Sequence, residues 1–183
     1  MQAYNCLIPL DGSAFSRQIL PFVRRLLPPE HYTITLLRVA APPEGVGALP
    51  PRPLVVDGMV LPEYETAQDA VLAKHPIYAS QADENVRAAL EDELQADVYY
   101  LEAAGFTVKV LVKLGDPAEE IIDLAEQGGS DLVAMATHGR TGLPRLVLGS
   151  VAEEALRRLA VPVLLVRPFA HVKVNDLAQA RPF

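Results

Sequence analysis

The chain has a single cysteine, Cys6, so no disulfide can form within it, and its place in an apolar run reads as a small core residue. It also lacks a surplus of positive charge: 16 basic against 23 acidic residues leave a formal charge of −7. General nucleic-acid binding needs a basic face to neutralise phosphates, and this balance argues against it. Binding of one nucleotide is a matter of local geometry and stays open. No apolar run approaches the roughly 20 residues of a membrane span. The opening MQAYNCLIPLDGS has no basic region ahead of a long apolar core. No signal peptide is therefore expected, and a cytoplasmic setting is the simplest reading. There is no internal repeat and no low-complexity run.

The absences extend to motifs. Without a G-x-x-x-x-G-K-S/T run the chain is not a P-loop NTPase, and its first turn, LDGSAFS, is not the G-x-G-x-x-G of a dinucleotide fold. Asp11 has no neighbouring carboxylate, which argues against a receiver domain. Ser13, Ser16 and Ser150 have no evident His and Asp arrangement for nucleophilic catalysis. His31, His75, His138 and His171 are scattered, and no metal-ligand spacing is visible. No catalytic residue and no metal ligand are expected, and His138 reads as a loop residue.

What is present is ample apolar material, 50% of the residues, enough for a real core. Short apolar runs at 4–10, 32–39, 106–114, 132–136 and 161–166 read as strands. Helical spacing appears between them. From about Ser13 to Leu27, Phe15, Ile19, Phe22, Val23 and Leu26 form the inner face, with Arg17, Arg24 and Arg25 opposite. From about Gln81 to Ala104 the stripe is Val86, Leu90, Leu94, Val98 and Leu101, and Gly105 is placed to end it in the left-handed conformation. Asp116-Pro117-Ala118-Glu119 reads as an N-cap, a first-turn proline and a capping partner, with Gly128-Gly129 at the far end. Strands alternating with helices predict an α/β fold: a doubly wound, five-stranded parallel sheet in the order 3-2-1-4-5.

The region from about 41 to 82 interrupts this pattern. Pro42, Pro43, Pro50, Pro51, Pro53 and Pro62 crowd it, with Gly45, Gly47 and Gly58, and no regular element is expected before a short helix near Glu63–Ala73. A lid, a partner contact and a disordered excursion are all compatible with it. The tail 168–183 either packs on a partner or stays loose.

The most informative stretch is Asp131–Val166. A buried strand runs into a loop holding Gly139, Arg140, Gly142 and Arg145. Gly149-Ser150 then opens the helix VAEEALRRLA, and PVLLV closes the unit. The loop leaves the carboxyl end of a parallel strand, where open sheets bind ligands. Glycines admit a ligand to the backbone, and a helix start offers unpaired N–H groups and a positive dipole end. An anion, above all a phosphate, suits such a place. Ser150-Val-Ala-Glu153 is equally a capping box, which would give Ser150 a purely structural task. In the strand order above, Asp11 and the loop Thr137–Gly149 meet at the switch point of the sheet. Asp11 is either a turn residue bonding its own backbone or a ligand acceptor.

THGRTG, LGSVAE and PVLLVRP, with nine residues between Gly139 and Gly149, resemble the nucleotide-binding subgroup of the universal stress protein family. Its pattern is G-x2-G-x9-G-S/T, and the one departure is Ala136 in place of the first glycine. IPLDGS at the other end of the chain supports the resemblance, which covers about Tyr4–Arg38 and Phe106–Arg167. It implies a Rossmann-like fold of the adenine nucleotide alpha hydrolase type, as one domain over 1–167 with the insert inside it. It implies ATP, or AMP or ADP, with or without magnesium. Carried over by position, Pro9, Leu10, Asp11 and Val39 would hold the nucleoside. Met135 and Ala136 would face the ribose. Gly139, Arg140, Gly149, Ser150, Val151 and Ala152 would meet the phosphates. The resemblance further implies a stress-response module with slow or no hydrolysis, an unidentified protein partner, and a homodimer through the last strand, 161–166. The alternative is a dimeric interaction module of the same fold whose crevice takes no nucleotide.

Overall fold

Cys6, Ile8 and Leu10 point to one side of the first strand and Leu7 to the other, and all four are buried. A strand buried on both faces must be covered by helices on both, and the computed structural model shows this arrangement. It describes residues 3–41, 52–56, 59–63, 76–137 and 148–168. Contacts divide the chain into two compact units, one of Met1–Ala40 with Leu90–Phe183 and one of Ala41–Ala89.

In the first unit, β1 (Tyr4–Leu10) lies at the centre of a five-stranded sheet. β2 (Tyr32–Ala40) and β5 (Thr107–Leu114) extend it on one side, β6 (Leu132–Ala136) and β7 (Val163–Val166) on the other. Every pairing is parallel, and the order β5-β2-β1-β6-β7 is 3-2-1-4-5 when this sheet's strands are counted alone. On one face α1 (Ile19–Leu26) and α3 (Gln95–Glu102) cover Cys6, Ile8, Ile34 and Leu36. On the other, α4 (Pro117–Gln127) and α5 (Ser150–Arg158) cover Leu7, Leu37, Val133 and Met135. Full burial of each such aliphatic side chain contributes about 1.5–3 kcal/mol.

Local structure departs from expectation at several points. The first helix is shorter at its start, where a 3-10 turn at Ser16–Gln18 precedes α1. Leu20 replaces Leu26 on its buried face, and Leu26, at the last turn, is 53% exposed. The long helix expected over 81–104 begins earlier, as α2 (Pro76–Glu93), and breaks at Leu94 before α3. Gly105 does follow it with a φ of +93°. Asp116 caps α4 as expected, accepting from the amides of Ala118 (2.9 Å) and Glu119 (3.1 Å). Glu119 does not return to the cap: its carboxylate binds Arg158 of α5, which holds it below the usual carboxylate range.

The second unit overturns the expectation that no regular element survives there. β3 (Arg52–Val56) and β4 (Met59–Glu63) pair antiparallel, from Val56↔Met59 to Arg52↔Glu63. Two residues, Asp57-Gly58, separate the strands, and Asp-Gly between apolar runs is a strong hairpin signal. Pro53 and Pro62 face each other. Antiparallel ladders alternate bonded and non-bonded pairs, and two opposed prolines fit a non-bonded pair without loss of a donor. Glu63 thus ends a strand, and the rest of the expected helix near Glu63–Ala73 lies outside the described residues.

Candidate functional site

The sheet opens at its middle. β1 and β2 are in register along the whole of β1, but β1 and β6 pair only at Cys6↔Leu132 and Leu7↔Val133 among the described residues. On its other side β6 pairs with β7 from Val133↔Val163 through Ala136↔Val166. Winding reverses here, between the first and fourth strands, so the carboxyl ends of β1 and β6 flank the switch point. Asp11 follows Leu10, whose partner Arg38 precedes Val39, so Val39 stands beside Asp11 at the same edge.

A short, fully bonded turn follows β1. Asp11 Oδ1 accepts from the Ser13 amide at 2.9 Å, an Asx turn. Ser13 Oγ accepts from the Ser16 amide at 3.1 Å, and Ser16 Oγ donates to the Ser13 carbonyl at 3.0 Å. Gly12 sits at φ +83°, and a Cβ there would lie 2.2 Å from Glu93 Oε1. Only glycine meets both conditions without displacement.

Four charged side chains surround this turn, and sequence reasoning missed the arrangement. Arg17 was expected on an outer face. Its Nε donates to both oxygens of Asp97 (2.8 and 3.1 Å) and its Nη1 to the Gly12 carbonyl (2.6 Å). Arg38, buried near the end of β2, donates from Nη1 to the Val39 carbonyl (2.9 Å) and approaches Glu93 at 3.4 Å. Burial raises the Asp97 carboxyl above its ordinary value, and the hydrogen bond and charge of Arg17 offset only part of that. A signal for Asp97 did exist, since it falls with Leu94, Val98 and Leu101 on one helical stripe. A carboxylate in such a stripe needs a buried partner.

At the far side of the switch point, Met135 is buried and Ala136 half-buried. The Thr137 amide donates to the Val166 carbonyl at 2.9 Å, and its carbonyl accepts from the Gly149 amide at 2.7 Å. Gly149, not Ser150, is the N-cap of α5, and no side chain among the described residues caps it. The capping box therefore does not form. Ser150 is the exposed first residue of the helix, and Glu153 pairs with Arg157 at 3.0 Å. Val151 is half-buried and Ala152 buried. A helix start without a side-chain cap leaves backbone donors for another acceptor, at the positive end of the dipole.

Pro9, Leu10, Asp11, Val39, Met135, Ala136, Gly149, Ser150, Val151 and Ala152 are thus placed at the carboxyl edge of the sheet or at the start of α5. Pro9 is half-buried in β1, and Val39 and Met135 also pack in the core beneath that edge. Gly139 and Arg140 lie outside the described residues.

The universal stress protein family matches residues 4–167. The chain belongs to that family. Universal stress protein MJ0577 of Methanocaldococcus jannaschii is 43% identical over 67 residues, 37% of this chain. That stretch spans 41% of the relative's length, and the next curated relative, MJ0531 of the same organism, is matched over 31% of its own. The solved structure of MJ0577 superposes with a TM-score of 0.67 at 22% identity, covering 93% of this chain and 100% of that one. A universal stress protein in complex with cAMP gives 0.55 at 18% identity, over 92% of this chain and 100% of the other. One from Arabidopsis thaliana with AMP bound gives 0.53 at 14%, over 91% and 93%. At these identities the solved structures share the fold. Among the described residues, no helix of this universal stress protein is long and apolar enough to cross a membrane.

Proposed function

We propose that this protein binds an adenine nucleotide, ATP or its AMP and ADP relatives, in the crevice between the ends of β1 and β6. The nucleotide serves a regulatory stress-response module in the cytoplasm, with slow or no hydrolysis. The observation that carries the reading is the start of α5. Its N-cap is a glycine, no side chain among the described residues caps it, and it stands at the switch point of a parallel sheet. Two fold relatives, solved with cAMP and with AMP, support adenine as the base.

In this reading Ser150, Val151 and Ala152 present amides to the phosphates, and Gly149, whose own amide is bound to the Thr137 carbonyl, meets them by admitting close approach without a side chain, with Gly139 and Arg140 joining from the loop. Pro9, Leu10, Asp11 and Val39 hold the nucleoside, and Met135 and Ala136 lie against the ribose. Magnesium would arrive with the nucleotide on phosphate oxygens, because no group of three His, Cys, Asp or Glu among the described residues could hold a metal. Asp11 Oδ1 accepts from the Ser13 amide, which orients its carboxylate at the end of β1. Partner binding is proposed to involve a second copy of the chain through β7, an edge strand of the sheet.

One observation favours the alternative, an interaction module with an empty crevice: Ala136 adds a methyl group where the family pattern has glycine. Mass spectrometry of nucleotides released on denaturing the purified protein, with titration of ATP and adenosine, decides between them. Co-purified or titratable adenine nucleotide supports the proposal. Absence of both sinks it.

A further inference from the structure

We propose that Arg17 is a positioning residue for the nucleoside end of the crevice, holding the Asp11–Ser13 turn through the Gly12 carbonyl while anchored on Asp97. This rests on the nucleotide reading above. The turn itself is short, and Gly12, at its centre, is the residue with least intrinsic preference for one conformation. The bonds within the turn run among Asp11, Ser13 and Ser16, and the Gly12 carbonyl takes its bond from outside it.

Arg17 has the geometry for that task. Its planar fork makes contacts in three directions: Nε to both Asp97 oxygens, Nη1 to the Gly12 carbonyl, and Nη2 to the Glu93 carbonyl at 3.3 Å. The last of these lies where α2 gives way to α3, beside the break at Leu94. One guanidinium therefore ties the ligand-bearing turn to the junction of two helices. The Asp97 side chain is 9% exposed, so the anchor is itself held by packing. From the other side, the Glu93 carboxylate lies against Gly12, where a Cβ would meet it. Gly12 is thus held at its carbonyl by Arg17, and the Glu93 carboxylate fills the space a side chain there would need. Lysine could keep the charge opposite Asp97, but a single ammonium lacks the fixed fork that spans Asp97 and Gly12 together.

The test uses the full chain and three variants, Arg17→Met, Arg17→Lys and Asp97→Asn. Amide hydrogen exchange of Ser13, whose N–H bonds to Asp11, is read in nucleotide-free protein against Ile34 in the sheet centre. Each variant is then titrated with adenosine and with ATP. Arg17→Met and Arg17→Lys are expected to speed Ser13 exchange by about tenfold, the effect of losing one charge-assisted hydrogen bond, with Ile34 unchanged. Affinity should fall by the same factor for adenosine and ATP, because the turn meets the nucleoside. Arg17→Lys should recover much of the melting temperature lost in Arg17→Met without recovering Ser13 protection. Asp97→Asn should produce a smaller change of the same kind. If Arg17→Met does not fold, Arg17→Lys carries the test. Ser13 exchange like the parent's in a folded Arg17 variant overturns the proposal. So does a loss of ATP affinity with adenosine unaffected. If the parent binds neither ligand, the nucleotide reading and the nucleoside clause fall together. Ser13 exchange then still reports whether Arg17 holds the turn.

Discussion

The Gly149 amide donates to the Thr137 carbonyl at 2.7 Å, so the chain leaves β6 and enters α5 at one hydrogen bond. The start of α5 is thereby fixed to the sheet without any cap from its own sequence. Ser150 stands one residue inside the helix, exposed and with no capping bond among the described residues. Ser150→Ala should leave the melting temperature unchanged, whereas a true N-cap serine would cost about 1 kcal/mol. A clear fall in thermal unfolding temperature would contradict this placement.

Asp116→Ala is the matching positive case. Asp116 accepts from two amides at the start of α4, so its loss should cost about 1 kcal/mol by denaturant titration. No change would mean that the cap is satisfied by solvent.

These two helix starts show what the sequence could reveal. The strands were legible because Cys6, Leu7, Ile8, Ile34, Leu36, Leu37 and Val133 form continuous apolar runs, as strands buried on both faces must. Asp116-Pro117 was legible because its cap is local. Gly149-Ser150 was not, because the cap position is set by a bond to Thr137, twelve residues back along the chain. The hairpin β3–β4 was hidden by weight of prolines, although Asp57-Gly58 between Val56 and Met59 carried its signature. The Arg17–Asp97 pair joins residues 80 apart, and no periodicity reports such a partner. Of the candidate site, the segments were legible and the bonding of the turn after β1 was not.

Gly12→Ala should destabilise the protein by about 1–3 kcal/mol, through backbone strain at positive φ and displacement of Glu93. Glu93 is the far end of a flexible side chain, so Gly12→Ala combined with Glu93→Ala should recover part of the loss and leave the strain. Equal stability of the parent and Gly12→Ala in urea titration would contradict the conformation of the turn.

Asp97 sets a pH signature. Burial raises its carboxyl, with Glu93 adding to the rise and Arg17 opposing it. A raised folded-state value means that the native state holds more protons than the unfolded state just above the usual carboxylate range. Stability from this group is therefore greatest below that range and declines as pH rises through it. Asp97→Asn lacks this dependence. The stability of the parent relative to Asp97→Asn should fall between about pH 4 and the upper edge of the shifted titration, measured by thermal melting across pH. A difference that grows with pH would show that Arg17 outweighs burial.

Cys6 is fully buried in β1, and burial pushes its thiol up to about 12. The thiolate is the reactive form, so Cys6 should resist alkylation in the native protein and react only as the fold opens. Labelling at neutral pH, with and without denaturant, checks this. Rapid native labelling would place Cys6 outside the core.

The measurement that tests the central claim most directly is a calorimetric titration of ATP and adenosine into the parent and Gly149→Val. Gly149 has extended backbone, φ −60° and ψ 145°, which valine adopts without strain, so the variant should fold. Its side chain would block approach to the start of α5. The account predicts that the parent binds both ligands, and that Gly149→Val loses at least roughly tenfold in ATP affinity, more than about 1.4 kcal/mol, with adenosine little changed. A folded Gly149→Val that binds ATP as the parent does would contradict the phosphate site at α5.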